Sequence, residues 1–230
     1  MSSRSKSILL YRYLPAEAAI KTIESHSFRV SRLLELNDPF EWSPGLDGIQ
    51  PEALDLARWC MARFLENLNE SMGIISFSSV VRDPILWSHY ADAHRGMVIE
   101  VSYLIDESLH KVEYTNSRPI IPSHCIRDPV AHGTEIIQIL EKHYRQKSPS
   151  WSYENEYRAV ASLALCQPCG GMFLLKIPEN FVTRVILGVR SSTSPTYVQR
   201  ALEMNGFPNV RVVRAAQSLR TYDIELVAEP

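Results

Sequence analysis

The sequence has little net charge, no nucleotide-binding glycine motif and no long apolar run near its start. A formal net charge of −2 over 230 residues creates no field that would attract nucleic acid by itself. Neither G-x-G-x-x-G nor a P-loop occurs, which argues against a doubly wound nucleotide-binding fold. The first apolar run covers only residues 8–10, far too short for a signal peptide or a membrane span. We therefore expect a cytoplasmic protein with no membrane partner.

Cysteine is also scarce, with four in the chain. Cys60 and Cys125 are isolated and only Cys166 and Cys169 form a C-x-x-C motif, which suits the reducing cytoplasm. The motif has no second pair and no matching histidine spacing, so it is a weak zinc signal. The glycines that follow it favour a loop between strands. The sequence therefore predicts no metal site.

The order of apolar patterns predicts a single α+β domain over residues 1–230. Composition is that of an ordinary globular protein, with 45% hydrophobic and 22% charged residues, and no linker, charge block or repeat divides it. Strands are predicted at residues 7–14, 28–30, 73–79, 97–103, 154–163, 172–177, 184–189, 210–213 and 222–227. Helices are predicted at residues 15–25, 51–68, 83–96, 128–145 and 194–205. Most strands follow one another without a crossover helix, which indicates a mixed, mainly antiparallel sheet flanked by helices.

Arg12 is the first polar residue that calls for an explanation, because it lies on an otherwise apolar face of the first strand. An unpaired buried charge is costly, so this arginine needs an anion or a carboxylate. Asp38 or Glu41 is a possible internal partner. The forked guanidinium is equally suited to a ligand phosphate. Both interpretations remain open on the sequence.

Glu154 and Glu156 are separated by one residue and precede the apolar run 159–163. Residues i and i+2 of a strand share a face, so the two glutamates should project side by side with Arg158 next to them. Two close carboxylates repel each other, so they must be solvated, paired with cations or placed in a functional site. A solvated strand face with Arg158 as partner and a catalytic pair are both consistent with this spacing.

Ser76 and Ser78 share one face of their predicted strand. Their hydroxyls can hydrogen-bond unpaired backbone groups at a sheet edge, or they can bind a ligand and orient other side chains. Along the chain an arginine comes first, Ser-x-Ser second and Glu-x-Glu third. That order defines a candidate constellation.

Several motifs together resemble a bacterial family catalogued as domain of unknown function 2971. They are Leu10-Tyr11-Arg12-Tyr13-Leu14, Asn37-Asp38-Pro39-Phe40-Glu41, Ile75-Ser76-Phe77-Ser78, Leu86-Trp87-Ser88-His89-Tyr90-Ala91-Asp92, His94-Arg95-Gly96 and Tyr153-Glu154-Asn155-Glu156-Tyr157-Arg158. The resemblance extends over nearly the whole chain. It implies a family but no activity.

The order of the three polar motifs is also similar to the signature of the arginine-serine-glutamate class of ADP-ribosyltransferases. This resemblance implies a split sheet in which Arg12 holds a phosphate of NAD. It implies that Ser76 and Ser78 order the nicotinamide–ribose end. Glu156 would work at the ribose and Glu154 would assist the acceptor. The Ser-x-Ser motif departs from the class, because its middle residue is a phenylalanine where a small polar residue is usual.

The chemistry at the nicotinamide–ribose bond is consistent with these roles. Cleavage passes through an oxocarbenium-like state that the Glu156 carboxylate would stabilise, and Glu154 would accept a proton from the attacking nucleophile. Aromatic rings can stack on nicotinamide or adenine, although they are more often core; the candidates are Tyr11, Tyr13, Trp87 and Tyr90. We expect an NAD-dependent enzyme acting on a protein or nucleic-acid acceptor, as a bacterial toxin or phage-defence effector would.

Two other functions remain open. His89 and Asp92 are three residues apart on a predicted helix, so the carboxylate can orient the imidazole. A metal-independent phosphodiesterase or nuclease would use His89 as general base and Arg95 or Arg158 on the phosphate. The third interpretation is a non-catalytic ligand-binding or interaction module.

Overall fold

The computed structural model describes residues 6–48, 50–51 and 54–228. Its strands are β1 (Ser7–Leu14), β2 (Ser27–Arg32), β3 (Gly45–Asp47), β4 (Met72–Ser78), β5 (Met97–Leu104), β6 (Leu109–Lys111), β7 (Glu113–Tyr114), β8 (Ile120–Pro122), β9 (Gln146–Lys147), β10 (Glu156–Ser162), β11 (Gln167–Cys169), β12 (Met172–Lys176), β13 (Val182–Leu187), β14 (Arg211–Gln217) and β15 (Ile224–Ala228). The helices are α1 (Ala16–Ser25), α2 (Leu54–Ser71), α3 (Pro84–Tyr90), α4 (Ser123–Arg127), α5 (Gly133–His143) and α6 (Pro195–Met204).

One large sheet organises the fold, in the order β11-β12-β2-β4-β1-β5-β13-β14-β15. Most neighbours are antiparallel, while β13 and β14 are parallel and joined through α6. Strands β3 and β8, and β7 and β9, form small separate pairs. The predicted α+β class and the mixed, mainly antiparallel sheet are confirmed.

The sheet divides along one edge of β4. Strand β10 pairs with the whole of the other edge, from Glu156 opposite Ser78 to Ser162 opposite Met72. On the divided edge, β1 meets β4 at Ser78 alone, and β2 meets it only near the far end, where Ser31 lies opposite Ile74. Strands β1 and β2 therefore diverge beside the middle of β4, which leaves a gap in the backbone hydrogen bonding there.

The main core lies between the sheet and helices α1 and α6, which also contact each other. Ala19 and Ile23 of α1 are buried, as are Val198 and Leu202 of α6. Each pair is four residues apart, so each helix presents one apolar face to the sheet. A second apolar cluster surrounds Trp87 on the other face of the sheet.

Several predicted boundaries are wrong, and local backbone chemistry explains two of them. The strand expected to begin at Glu154 begins at Glu156, because a 3₁₀ helix (Pro149–Glu154) ends in a left-handed Asn155 with φ of 44°. The helix expected from residue 128 begins at Gly133, because the Asp128 carboxylate accepts a hydrogen bond from the Ala131 N–H at 3.0 Å and closes a turn. Within the described ranges, no helix has both the length and the apolar character that a membrane crossing requires.

Candidate functional site

A cavity of about 270 Å³ opens beside the gap between β1 and β2. This central cavity is lined by Tyr11, Arg12, Tyr13, Ser31, Glu35, Leu36, Asn37, Glu41, Ser76, Phe77, Ser78, Leu86, Tyr90, Lys147, Glu154 and Glu156. The lining includes the predicted arginine, both serines and both glutamates, together with three of the four predicted aromatic residues. Tertiary structure therefore brings the separate motifs to one concave surface.

The Arg12 guanidinium occupies the gap between the diverging strands. Nη1 donates to the Ser76 carbonyl at 3.0 Å and Nη2 donates to the Arg29 carbonyl at 3.1 Å. The guanidinium carbon also lies 5.7 Å from the centre of the Phe28 ring. Arg12 thus supplies hydrogen-bond donors to one carbonyl of β4 and one of β2 where these two strands no longer pair.

Neither proposed internal carboxylate reaches Arg12. Among the described residues it makes no ion pair, and Glu41 is instead bound by other cations. Burial, together with nearby Arg29, lowers the pKa of Arg12 to about 10, so it remains cationic at neutral pH. The result is a positively charged group in the cavity wall whose hydrogen-bond partners, among the described residues, are two carbonyls.

Glu154 and Glu156 reach the cavity from different elements. Glu154 is the last residue of a 3₁₀ helix and Glu156 is the first residue of β10. Their proximity therefore does not come from the shared strand face that the sequence suggested. Arg158 does share a face with Glu156, and its Nε and Nη2 donate to the two oxygens of that carboxylate at 2.9 Å each.

Lys147 and Glu41 complete the buried charge cluster, and the sequence did not predict Lys147 as part of the site. The lysine Nζ lies 2.8 Å from Glu154 Oε2, 3.4 Å from Glu156 Oε2 and 3.2 Å from Glu41 Oε1. The Glu41 Oε2 atom lies 2.6 Å from Arg158 Nη2. Three carboxylates thus share two cations, and the cluster carries an excess negative charge when all five groups are ionised.

The two central carboxylates have opposite pKa shifts. Burial is the largest influence on Glu154 and, with repulsion from Glu156, raises its pKa although Lys147 and Tyr90 oppose the change. Burial would also raise the pKa of Glu156, but Arg158 and Lys147 more than offset it and the pKa is lowered. Neighbouring acids with pKa values driven apart are typical of sites that divide acid–base and charge-stabilising roles.

The hydroxyls around the carboxylates have distinct partners. Tyr90 donates a hydrogen bond to Glu154 Oε1, and burial with this contact raises the tyrosine pKa. The Glu156 N–H donates to the Tyr114 hydroxyl at 2.9 Å. Ser78 Oγ donates to the Glu154 carbonyl at 2.6 Å and accepts from the Val80 N–H, so it fixes the backbone of the site. The hydroxyl of Ser76 contributes to lowering the pKa of Glu156.

Two predicted site residues lie elsewhere. Trp87 is fully buried, donates from Nε1 to the Val81 carbonyl at 2.7 Å and packs edge-on against Tyr13, so it is core and not a stacking platform for a ligand. His89 is exposed, contacts Tyr153 at 3.1 Å and does not line the cavity. Helix α3 ends at Tyr90, so the predicted helical pairing of His89 with Asp92 is wrong.

Comparisons with protein-family models, curated proteins and solved structures found no match for this chain. The assignment of an activity therefore depends on the chemistry of the central cavity. Pockets for small ligands usually measure roughly 300–1,000 Å³. At about 270 Å³, the central cavity lies just below this range.

Proposed function

We propose that this protein is an ADP-ribosyltransferase-like enzyme that consumes NAD. The observation that carries the proposal is the placement of Arg12, a cation without a carboxylate partner in the described residues, on the same cavity as Glu154 and Glu156. A dinucleotide needs such a combination, because its phosphates require a cation and its reacting ribose requires a carboxylate.

Arg12 is the phosphate-binding residue in this proposal. Two of its donors are directed to backbone carbonyls, which hold the guanidinium in one orientation. The remaining N–H groups supply charge-assisted contacts to a phosphate oxygen. A side chain already fixed before the ligand arrives loses less conformational entropy on binding.

Glu156 supplies the fixed negative charge. Arg158 and Lys147 orient its carboxylate and keep it ionised, so it does not have to reorganise when positive charge develops at the ribose. Such preorganised electrostatic stabilisation is commonly the largest single contribution to catalysis. Its pairing with Arg158 argues for an electrostatic role and against a role as covalent nucleophile.

Glu154 is the proton acceptor. In the proposed step the bond between the ribose C1′ and the nicotinamide nitrogen breaks, and its electron pair leaves with nicotinamide. An acceptor hydroxyl, amine or water forms the new bond to C1′ and gives its proton to Glu154. The raised pKa of Glu154 brings its basicity closer to neutral pH, which favours general-base catalysis.

Turnover of NAD labelled in the nicotinamide ring tests the proposal. We expect nicotinamide release by the wild-type protein and its loss in Glu156→Gln, which preserves size but removes the charge. Glu100→Gln is the matched control, because Glu100 is also a buried carboxylate paired with an arginine, Arg184, but does not line the central cavity. Circular dichroism establishes that each variant is folded.

Two results would reject the proposal. The first is a folded wild-type protein that leaves NAD intact in the presence of candidate protein and nucleic-acid acceptors. The second is equal turnover by wild type and folded Glu156→Gln. Intact NAD together with cleavage of RNA or DNA that depends on His89 would support the phosphodiesterase instead.

A further inference from the structure

A second cluster of reactive side chains lies where α4 meets the first turn of α5. Its four members are two imidazoles, a thiol and a carboxylate, from His124, Cys125, His132 and Glu135. One potential ligand atom from each lies within 4.8 Å of all the others. The described lining of the central cavity contains none of the four.

We propose that this cluster binds a divalent transition metal ion, with zinc the best match. Zinc forms bonds of about 2.0–2.3 Å to nitrogen, sulfur and oxygen in tetrahedral sites, which places neighbouring ligand atoms roughly 3.3–3.8 Å apart. His124 Nε2 and His132 Nδ1 lie 3.1 Å and 3.5 Å from the same oxygen, Glu135 Oε2. These two spacings are already close to those of a coordination shell, and the other ligand atoms lie within 4.8 Å of one another.

The chemical types of the ligands select the ion. A thiolate and two imidazoles favour zinc, copper or nickel, whereas magnesium and calcium require mostly oxygen ligands. Four protein ligands fill a tetrahedral zinc shell and leave no open position for water or substrate. The site is therefore structural and not catalytic.

The fold explains what such a site would stabilise. Helix α4 has five residues, which is too short to be stable by its own hydrogen bonds. The buried Cys125 packs with Ile121, Ile136 and Leu140, so the helix is held against α5 by a small apolar cluster. A metal ion bound by residues from both helices would close the intervening turn 128–132 and join α4 to α5 directly.

Binding is tested with the purified full-length chain after treatment with a chelator. Zinc is titrated in competition with a chromophoric chelator, and cobalt(II) is then substituted as a spectroscopic probe. We expect one ion per chain, visible bands of tetrahedral cobalt and the near-ultraviolet absorption of a cobalt–thiolate bond. Proton release on binding is also expected, since the thiol must lose its proton to coordinate.

Substitutions distinguish zinc binding at this cluster from adventitious binding elsewhere on the protein. His132→Gln and Glu135→Gln change partly exposed side chains, so both should fold, and each should weaken zinc binding by more than about 100-fold, because even outer-shell changes cost roughly 10- to 100-fold. Cys125→Ser should abolish the thiolate band. Cys169→Ser, at an exposed cysteine outside the cluster, and His110→Gln should retain full binding.

Zinc should also raise the melting temperature of the wild type and of both control variants, but not that of His132→Gln, Glu135→Gln or Cys125→Ser. The proposal is overturned if cobalt shows no thiolate absorption, or if His132→Gln binds zinc as tightly as the wild type. Loss of binding in Cys169→Ser would likewise overturn it, since the ion would then be held by another thiol.

Discussion

Arg158 donates hydrogen bonds from Nε and Nη2 to the two carboxylate oxygens of Glu156, each at 2.9 Å, although only one residue separates them on β10. Both side chains are almost completely buried. The arginine also bonds the Tyr144 carbonyl at 2.9 Å and approaches Glu41 at 2.6 Å, so most of its donors have partners. This pair holds the carboxylate that the proposed chemistry uses.

We expect Arg158→Ala to lower the free energy of unfolding by roughly 3–5 kcal/mol, because it leaves buried carboxylates without a partner. Urea denaturation measures the change. Arg63→Ala is the matched control, since it removes an arginine from the exposed pair with Glu66 and should alter stability by less than about 0.5 kcal/mol. Equal effects of the two substitutions would contradict this prediction, because loss of the buried ion pairs would then cost no more stability than loss of an exposed pair.

The role of Glu154 predicts a pH-dependent rate. Only the ionised carboxylate accepts a proton, so kcat/KM for NAD should rise with pH through a pKa that lies above the ordinary glutamate value. Glu154→Gln should lower the rate roughly 10²- to 10⁴-fold and remove this rise. A wild-type profile that is flat over the weakly acidic range, or one that Glu154→Gln leaves unchanged, would contradict the general-base role.

The raised pKa of Glu154 also predicts how the free energy of unfolding changes with pH. The folded-state pKa of Glu154 is raised, so the folded protein holds its proton to higher pH than the unfolded chain. The contribution of this carboxyl group to stability therefore decreases as pH rises from the unfolded to the folded pKa. Glu154→Gln should remove that part of the pH dependence in denaturation curves.

Arg12→Lys tests the phosphate contact. Lysine retains the positive charge but cannot reach two carbonyls and a phosphate as the forked guanidinium does. Loss of one charge-assisted hydrogen bond, roughly 1.5–3 kcal/mol, should weaken NAD binding about 10- to 100-fold and remove most of the ligand-induced rise in melting temperature. Arg63→Lys should retain the full rise. A wild-type melting curve that millimolar-range NAD does not shift would exclude an NAD site.

Arg12→Ala should cost less stability than Arg158→Ala. Arg12 bonds the exposed Arg29 carbonyl, the partly buried Ser76 carbonyl and no described carboxylate, so its removal leaves one partly buried neutral group unsatisfied, at roughly 1–3 kcal/mol. Urea denaturation of the two alanine variants under the same conditions compares these costs. A loss from Arg12→Ala as large as that from Arg158→Ala would indicate an ion pair at Arg12.

His143 predicts a loss of stability in mild acid. Burial is the main cause that lowers its pKa from 6.5 to about 4, with Arg118 and Arg158 adding to the effect and the Phe40 carbonyl and Asp38 opposing it. Between these values the unfolded chain binds the extra proton and the folded protein does not. The contribution, up to about 3 kcal/mol, is therefore complete above pH 6.5 and is lost as the pH falls towards 4.

Denaturation curves at several pH values check this prediction. His143→Gln removes the titrating group, so its stability should decline less steeply between pH 6.5 and 4 than that of the wild type. The matched control is His89→Gln at an exposed histidine, which should retain the wild-type slope. Parallel slopes for wild type and His143→Gln would show that the histidine does not titrate on unfolding.

Local sequence patterns predicted the helices and strands well where turn or capping residues marked their ends. Strand β1 has the predicted bounds, and the Asp83 side chain caps α3 by accepting a hydrogen bond from the Ile85 N–H at 2.8 Å. The strand boundary at Glu154 was missed because Asn155 adopts a left-handed conformation that no alternation pattern reports. Lys147 was missed because it lies in a two-residue strand among polar residues, and its burial depends on Glu41, Glu154 and Glu156.

The sequence by itself determined the α+β class and the residue types of the candidate site, since turn residues and apolar periodicity act over a few neighbours. Only the tertiary structure decided which charges are paired. It assigned Glu41 to Lys147 and Arg158, and it gave Arg12 the carbonyls of two diverging strands. It also brought His124 and His132 to one carboxylate, at distances that neither residue's position in the chain indicates. The physical reason is that the strength and even the sign of an electrostatic interaction depend on distance and burial, and these arise from contacts between residues far apart in sequence.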